Sequence, residues 1–185
     1  MTRIFLDTEF TGLHQGTTLI SLAMVAESGE EFYAEFTDYD SSQLFPWLQE
    51  HVMPKLWLQN KLDFDRRPGG VYLRGDRDTI RKALEAWLKP FELIEVWADV
   101  LAYDWVLFCE LFGGALYLPA NVFYAPFDLA TLFRLKNEIT PTGKYQKDLN
   151  RFAFAGVSDQ WQHNALMDAR VEWLSIHKIE TSHGS

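Results

Sequence analysis

The chain has 185 residues, of which 48% are hydrophobic and 23% charged, a balance that suits one globular domain with a full core. No apolar stretch approaches the roughly 18 residues that a membrane-spanning helix needs, and the single cysteine, Cys109, excludes an internal disulfide and suits a small buried thiol. The net charge of −9 argues against a protein that grips a long nucleic-acid duplex, but not against one that takes a single chain end through bound cations.

The N-terminal part of the chain is predicted to form a strand followed by a hairpin. Residues 3–7 indicate a buried strand, and the stretches 17–27 and 31–37 indicate two further strands joined by a short turn. A helical stretch over 42–52 follows, with Pro46 either in its first turn or breaking it. Because the chain begins with a strand-like run rather than a basic segment and a cleavable apolar one, we expect no signal peptide and a cytoplasmic protein.

The remainder of the chain alternates predicted helices and strands after an Arg-Arg-Pro-Gly-Gly segment that indicates an exposed loop. The predicted elements are this loop over 61–75, helices over 76–90, 100–113, 128–136 and about 163–178, and a strand over 92–98. Meandering strands followed by alternating helices and strands predict an α/β fold, in which helices flank a sheet of mixed direction. With no repeat or linker, residues 1–185 are expected to form a single domain.

Two acids stand at the end of the first predicted strand. Because alternate residues of a strand project to the same face, Asp7 and Glu9 point together, about 7 Å apart. Burying two like charges is costly, and a hard divalent cation such as Mg²⁺ removes that cost. The alternative is a strand end that turns into solvent, with both acids hydrated.

A different chemistry also fits this stretch in part. Phosphatases with a nucleophilic aspartate begin with a strand that ends in Asp-x-Asp-x-Thr, and the stretch Asp-Thr-Glu-Phe-Thr comes near that motif. Glu9 replaces the second aspartate, however, and residues 74–78 match the later acidic motif poorly and suit a helix start better. The phosphatase interpretation is therefore the weaker of the two.

Three further residues extend the acidic set. Asp104 borders the apolar stripe of its predicted helix and needs a partner, either a salt bridge or a role in a site. His163 and Asp168 are five residues apart, about 140° around a continuous helix. They can share a site if His163 lies in the loop before the helix that carries Asp168, with Asn164 as the candidate cap. An exposed histidine is the ordinary alternative.

Other charged residues have ordinary explanations. Asp99 and Asp128 suit helix N-caps, and Asp76 or Asp78 could cap the helix predicted over 76–90. Basic residues that could hold upstream phosphates form two clusters, for which a solvated face is the alternative: Arg66, Arg67, Arg74, Arg77 and Arg81, and then Lys144, Lys147 and Arg151.

The acidic residues and His163 form a recognisable chemical set. Four acids and one histidine are what two-metal phosphodiester hydrolysis requires: the carboxylates hold two cations about 3.5–4 Å apart. A histidine near its working pKa can take the proton from the attacking water.

The order of these motifs resembles a known family. "DTE", then an Asp in a mid-chain helix, then His-x4-Asp is similar to the DEDD exonucleases of the histidine-bearing type, such as ribonuclease T and oligoribonuclease. Within that group, "DTEF", "HVMPKL" and "WADVLAYDWVLFCELFG" resemble the small bacterial 3′–5′ exoribonucleases first described from mycobacteria, over about residues 2–177. The resemblance implies a ribonuclease H-like fold, release of nucleoside 5′-monophosphates from an RNA 3′ end, two Mg²⁺ or Mn²⁺ ions, and a homodimer.

The resemblance also implies roles for the candidate site residues. Asp7, Glu9 and Asp168 would ligate metal, with Asp7 bridging both ions. Asp104 would act through a metal-bound water, and His163 would be the general base.

Substrate contacts follow from the same resemblance. Phe10, Thr11 and Leu13 fall where the family touches the terminal nucleotide, and Leu13 could wedge against its base. Phe10 replaces the threonine of the wider family and either stacks on a base or packs in the core. Asp99 and Val100 stand where many relatives have His-Asn, so any contact made by that asparagine is missing.

The choice between functions is not fully determined by the residues. A 3′–5′ exoribonuclease is the prediction, and its preference for RNA rests on the resemblance alone. The alternatives are a DNA-directed exonuclease of the same mechanism and a non-catalytic module of the same fold that binds nucleotide or RNA.

Overall fold

A six-stranded sheet organises the residues that the computed structural model describes, 1–136 and 149–182. In chain order the strands are β1 (Thr2–Phe10), β2 (Leu19–Ala26), β3 (Glu31–Phe36), β4 (Val71–Gly75), β5 (Ile94–Ala98) and β6 (Phe127–Asp128). The α-helices of this part of the chain are α1 (Pro46–His51), α2 (Arg77–Leu88), α3 (Ala102–Leu111), α4 (Leu129–Leu135), α5 (Arg151–Ala155) and α6 (Ala165–Ser182). None of them is long and apolar enough to cross a membrane.

The sheet has mixed direction, as predicted. The strand order is β4-β3-β2-β1-β5-β6. β1 pairs antiparallel with β2, and β2 antiparallel with β3. The pairs β1–β5, β5–β6 and β3–β4 are parallel. The predicted α/β sheet, antiparallel over its first three strands and then parallel, is therefore confirmed.

Both faces of the sheet are covered, which explains why β2 and β3 are buried at every position. One face packs against α2 and α3 through Ile80, Leu84 and Phe108. The opposite face packs against α4 and α6 through Phe133 and Ile176. The apolar side chains whose spacing predicted these helices are therefore the ones that contact the sheet.

β1 is longer than its apolar run. It extends to Phe10, beyond the predicted strand 3–7, because Asp7 and Glu9 remain in register with β2. On its other side, β1 pairs with β5 only as far as Phe5, opposite Trp97. The last residues of β1 are consequently bordered by one strand, and the second side is left open for other groups.

The prediction of an exposed loop over 61–75 was wrong at its end. Val71–Gly75 forms β4, which pairs parallel with β3 at the edge of the sheet. Its apolar run is only three residues long, too short to show a period. Its partner strand, β3, is distant in the sequence, so the local sequence pattern does not predict the pairing.

Several predicted local features are confirmed. Pro46 occupies the first turn of α1, Asp76 accepts a hydrogen bond from the Thr79 amide to cap α2, and Asp128 caps α4 in the same way. Cys109 is a buried free thiol, and burial raises its pKa to about 11.

A buried ion pair joins α6 to the start of β3. Glu31 is fully buried, and its carboxylate accepts from Arg170 Nε at 2.7 Å and Nη2 at 2.8 Å. Arg67 Nε lies 3.0 Å away, and the Tyr72 hydroxyl donates at 2.7 Å. Protein donors thus take the place of water around the carboxylate, which offsets the cost of its burial.

We expect the substitution Arg170→Met to lower the free energy of unfolding by about 3 kcal/mol, because Glu31 would keep its charge but lose its buried bidentate partner. Urea denaturation measures this change. Arg81→Met is the matched control, since Arg81 pairs with Glu85 on the exposed face of α2 and its loss should cost less than about 1 kcal/mol. Equal effects for the two variants would contradict the importance of the buried pair.

Candidate active site

Three carboxylates from two elements converge at the open end of β1. Asp7 and Glu9 project from one face of β1, and Asp168 comes from the first turn of α6. One oxygen from each carboxylate lies within 4.8 Å of the others. Asp7 Oδ2 is buried and has no hydrogen-bond partner among the described residues. An all-oxygen donor set with an unsatisfied buried carboxylate oxygen fits a hard divalent cation such as Mg²⁺ or Mn²⁺.

Electrostatics give the same indication. Burial raises the pKa of Asp7 and of Glu9 well above the usual range, and repulsion from Asp168 raises each further. Burial also raises the pKa of Asp168 to about 7, despite the hydrogen bond that it accepts from the His163 amide. Carboxyls in such a cluster need either protons or a cation to balance their charge.

His163 precedes α6 in the left-handed conformation, with φ of 70°, a region that histidine enters more readily than most residues. Its backbone N–H donates to Asp168 Oδ2 at 2.8 Å. Its Nδ1 lies 3.9 Å from Glu9 Oε1. Asn164 caps α6, with Oδ1 accepting from the Met167 amide at 3.2 Å. The predicted placement of His163 before the helix and of Asn164 as its cap is confirmed.

Two neighbours of His163 come from a segment that the sequence analysis did not assign to the site. Lys55 Nζ donates to the Gln162 carbonyl at 2.5 Å, and the Trp47 ring meets the imidazole edge-on at 5.0 Å. Burial and then the charge of Lys55 lower the pKa of His163, so the imidazole is neutral at neutral pH and can accept a proton. No local pattern pointed to residues 47–55, because only the tertiary fold brings them here.

Asp104 lies outside the group of three carboxylates. Its Oδ1 accepts from the Thr8 amide at 2.9 Å and from the Thr8 hydroxyl at 2.6 Å, and burial raises its pKa to about 6. The partner that its apolar surroundings required is therefore β1 itself rather than a lysine or arginine. Since Thr8 stands between Asp7 and Glu9, this contact ties α3 to the strand segment that carries both acids.

A fifth acid, Glu172, shares the cavity with these groups. It follows Asp168 by one helical turn, so the two side chains lie on the same face of α6. A cavity of about 550 Å³ is lined by both acids together with Asp7, His163 and Arg151, among others. The sequence analysis missed Glu172, although its spacing of four residues from Asp168 was a usable signal.

The prediction that Asp99 caps a helix was wrong. α3 begins only at Ala102, and the Asp99 carboxylate instead pairs with Arg151, whose Nε lies 2.8 Å and Nη2 3.1 Å from its oxygens. Val100, with φ of 56°, turns the chain between β5 and α3. This turn separates Asp99 from the helix start and directs it toward the cavity.

An apolar pocket of about 380 Å³ adjoins the acids. Leu13 is 77% exposed on the loop after β1, and it lines this pocket with Glu9, Phe45 and Trp47. Phe10 also lines the pocket. The pocket therefore combines exposed apolar and aromatic side chains with one of the site carboxylates.

Phe10 and Thr11 are held by the protein itself. Phe10 stacks on Tyr103 with ring centroids 5.3 Å apart and packs against the main core. Thr11 is 1% exposed, and its hydroxyl donates to Gln43 Oε1 at 2.5 Å and accepts from the Thr18 amide at 2.8 Å. The predicted contact of Thr11 with a nucleotide stays a prediction, and the side chain visibly supports the loop that carries Leu13.

The predicted basic clusters are largely engaged within the protein. Arg67 binds Glu31, and Arg81 binds Asp78 and Glu85. Lys144 and Lys147 lie outside the described residues.

Comparisons with known proteins identify similar sequences and a similar fold. A family model described as "3'-5' exoribonuclease Rv2179c-like domain" matches residues 2–179. Two curated relatives, 3'-5' exoribonuclease Rv2179c of Mycobacterium tuberculosis strain H37Rv and 3'-5' exoribonuclease MT2234.1 of strain CDC 1551, are each 38% identical over 122 residues. That match covers 65% of this chain and 67% of each relative.

Among solved structures, the metal-free form of an E. coli ExoI–ssDNA complex is similar, with a TM-score of 0.56 at 14% identity. The alignment covers 98% of this chain and 40% of the ExoI chain, and the likeness concerns the fold. These matches confirm the predicted ribonuclease H-like fold and the predicted resemblance to the small bacterial 3′–5′ exoribonucleases.

We expect the stability of the cation-free protein to fall as pH rises from about 6.5 to 8. Asp168 has a pKa of about 7 in the folded protein, so the folded state keeps a proton that an unfolded aspartate has already lost. This group alone contributes a slope of at most about 1 kcal/mol per pH unit. The lowered pKa of His163 acts in the opposite sense only below the ordinary histidine value.

Thermal denaturation in EDTA measures this dependence. Asp168→Asn should flatten the slope, and added Mg²⁺ or Mn²⁺ should stabilise the wild-type protein more at the upper end of the range than at the lower end. Stability that is constant or rises with pH in EDTA would contradict the assignment of these charges.

Proposed function

The chain belongs to the 3'-5' exoribonuclease Rv2179c-like family, and on that premise we propose that it shortens RNA from the 3′ end and releases nucleoside 5′-monophosphates. The reaction would use two divalent cations, Mg²⁺ with Mn²⁺ as a substitute, and a histidine general base. The observation that carries the proposal is the convergence of Asp7, Glu9 and Asp168 within 4.8 Å of one another, beside the imidazole of His163.

Each side chain has a role that its surroundings support. Divalent cations supply Lewis acidity and neutralise charge at a phosphodiester, and Asp7, Glu9 and Asp168 are the residues that would hold them. Asp104 acts indirectly, since one of its oxygens is committed to Thr8. Through Thr8 it keeps the two acids of β1 in place, and its charge raises the pKa of both, which favours a cation beside them.

His163 would take the proton from the attacking water. A general base must be unprotonated at the working pH and within reach of the reacting groups. The lowered pKa of His163 meets the first condition. The second is supported by its backbone bond to Asp168 and by its position next to Glu9, which hold the imidazole at the edge of the carboxylate cluster.

The apolar pocket beside Glu9 would receive the base of the 3′-terminal nucleotide. Leu13, Phe45 and Trp47 offer apolar and aromatic surface there, and stacking on such surface tolerates every base. Phe10 forms part of the same wall, and Thr11 would support the loop from within. This arrangement suits an enzyme that must accept each nucleotide in turn.

RNA is proposed as the substrate because the relatives are named as exoribonucleases. The carboxylates and the histidine act on the phosphodiester and do not distinguish the sugar, so DNA is the competing substrate. A single-stranded 3′ end or a short overhang would suit a site with few free cationic groups. The homodimer and the cytoplasmic location expected from the sequence remain predictions.

We expect a 5′-labelled RNA strand to give a ladder that shortens from its 3′ end in Mg²⁺ or Mn²⁺ and stays intact in EDTA, because the carboxylates need cations to approach the phosphodiester. A DNA strand of the same sequence is the matched substrate and should be cut more slowly. Faster cutting of DNA would favour the exodeoxyribonuclease, and binding without cutting would favour a non-catalytic module.

Two substitutions separate proton transfer from cation binding. His163→Ala should lower the rate by about 10²- to 10⁴-fold while cation binding persists, because it removes only the base. Asp7→Ala should abolish turnover and cation binding together. Single-turnover kinetics and Mn²⁺ titration measure the two effects. His177→Ala, an exposed histidine on α6, is the matched control, and a His163→Ala variant as fast as this control would show that His163 is not the base.

A further inference from the structure

Glu172 lines the site cavity, and only one of its two carboxylate oxygens forms a hydrogen bond among the described residues. The residue is 4% exposed. Its Oε1 accepts a hydrogen bond from the Asp99 amide at 2.8 Å. Its Oε2 is buried and has no hydrogen-bond partner in the part of the chain that the structure describes. Within that part, no lysine, arginine or histidine forms an ion pair with it.

The charges around Glu172 make this arrangement unfavourable by itself. The ionised groups that act on it are Asp99, Asp104 and Asp168, all of which carry the same sign. Removing an ionised carboxylate from water costs several kcal/mol unless an opposite charge compensates. Glu172 therefore needs a proton or a cation to balance its charge, at a position that lines the same cavity as the carboxylate cluster.

The position of Glu172 relates it to that cluster. It lies one turn after Asp168 on the same face of α6, and both side chains line the cavity with Asp7. Asp7 Oδ2, like Glu172 Oε2, is buried without a hydrogen-bond partner among the described residues, and the charge of Glu172 acts on Asp7. Two unsatisfied carboxylate oxygens therefore come from adjoining elements that border one cavity.

We propose that Glu172 is a fifth carboxylate of the cation centre, whose Oε2 helps to hold one of the two divalent cations. The inference rests on the proposed function and adds a ligand group to that same site. A hard cation would supply the positive charge that the surrounding acids do not. The hydrogen bond of Oε1 to Asp99 would meanwhile fix the carboxylate in orientation, as groups around metal ligands commonly do.

The competing explanation is a structural carboxylic acid that carries its own proton and only holds the Asp99 backbone. Glu172→Gln distinguishes the two, because an amide has the shape of the protonated acid and can still accept from the Asp99 N–H. It loses the negative charge and one of the two oxygens. A purely structural role would therefore survive this substitution, whereas a role in cation binding would not.

The test is a titration of the 185-residue chain with Mn²⁺. Calorimetry and the electron paramagnetic resonance signal of the free ion monitor the binding. In Glu172→Gln we expect the affinity for one of the two ions to fall by about 10- to 100-fold. The rise in Tm that a fixed Mn²⁺ concentration produces should also be smaller than in the wild-type protein. Glu172→Asp keeps the charge but is one methylene shorter, and should weaken Mn²⁺ binding as well.

Glu35→Gln is the matched control. Glu35 is also a buried glutamate, 1% exposed, but its oxygens accept from the Tyr33 hydroxyl and from the Leu58 and Gln59 amides, away from the cavity. Its substitution should lower stability and leave Mn²⁺ binding unchanged.

The outcomes separate this inference from the proposed function. If the wild-type protein binds two Mn²⁺ ions and both Glu172 variants bind them with wild-type affinity, the role of Glu172 is refuted and the proposed function stands. If the wild-type protein binds no Mn²⁺, both proposals fail together. Selective weakening in the Glu172 variants, with wild-type binding in Glu35→Gln, supports the inference.

Discussion

Negative charge gathered at the end of β1 is the constraint on which the rest of the structure depends. Burial raises the pKa of Asp7, Glu9 and Asp168, and repulsion from Asp168 raises the pKa of the other two further. Without a counter-charge the folded state is destabilised by its own site. The same repulsion would favour the proposed binding of a divalent cation. Stability of the cation-free protein and affinity for a cation would then be opposed through one interaction.

The surrounding fold positions the elements that carry this cluster through contacts made outside it. Asp104 binds β1 through Thr8, and Asn164 fixes the start of α6 by donating to the Lys55 carbonyl at 2.7 Å. Farther away, the Glu31–Arg170 pair anchors α6 to β3. Stability is thus supplied by contacts of the elements that carry the acids, while Asp7 Oδ2 itself has no hydrogen-bond partner among the described residues.

The chemistry of the site and the choice of substrate are physically separate. In the proposed function, the carboxylates and His163 would act on the phosphodiester, which RNA and DNA share. The neighbouring pocket with Leu13 and Trp47 offers apolar surface, which suits any base. Discrimination between sugars needs a polar group at the 2′ position, a requirement separate from the charge of the carboxylates.

The sequence by itself determined the mixed direction of the sheet, the helices other than α5, and the candidate acids with His163, because apolar period and short acidic motifs are local. It did not reveal β4, β6 or α5, the ring contact of Trp47 with His163, the bond of Lys55 to the Gln162 carbonyl, or the pairing of Asp99 with Arg151. Those depend on which distant segments meet, and that is decided by tertiary packing. Glu172 lies between the two cases, since its spacing from Asp168 was visible but its unsatisfied oxygen emerged only once burial was known.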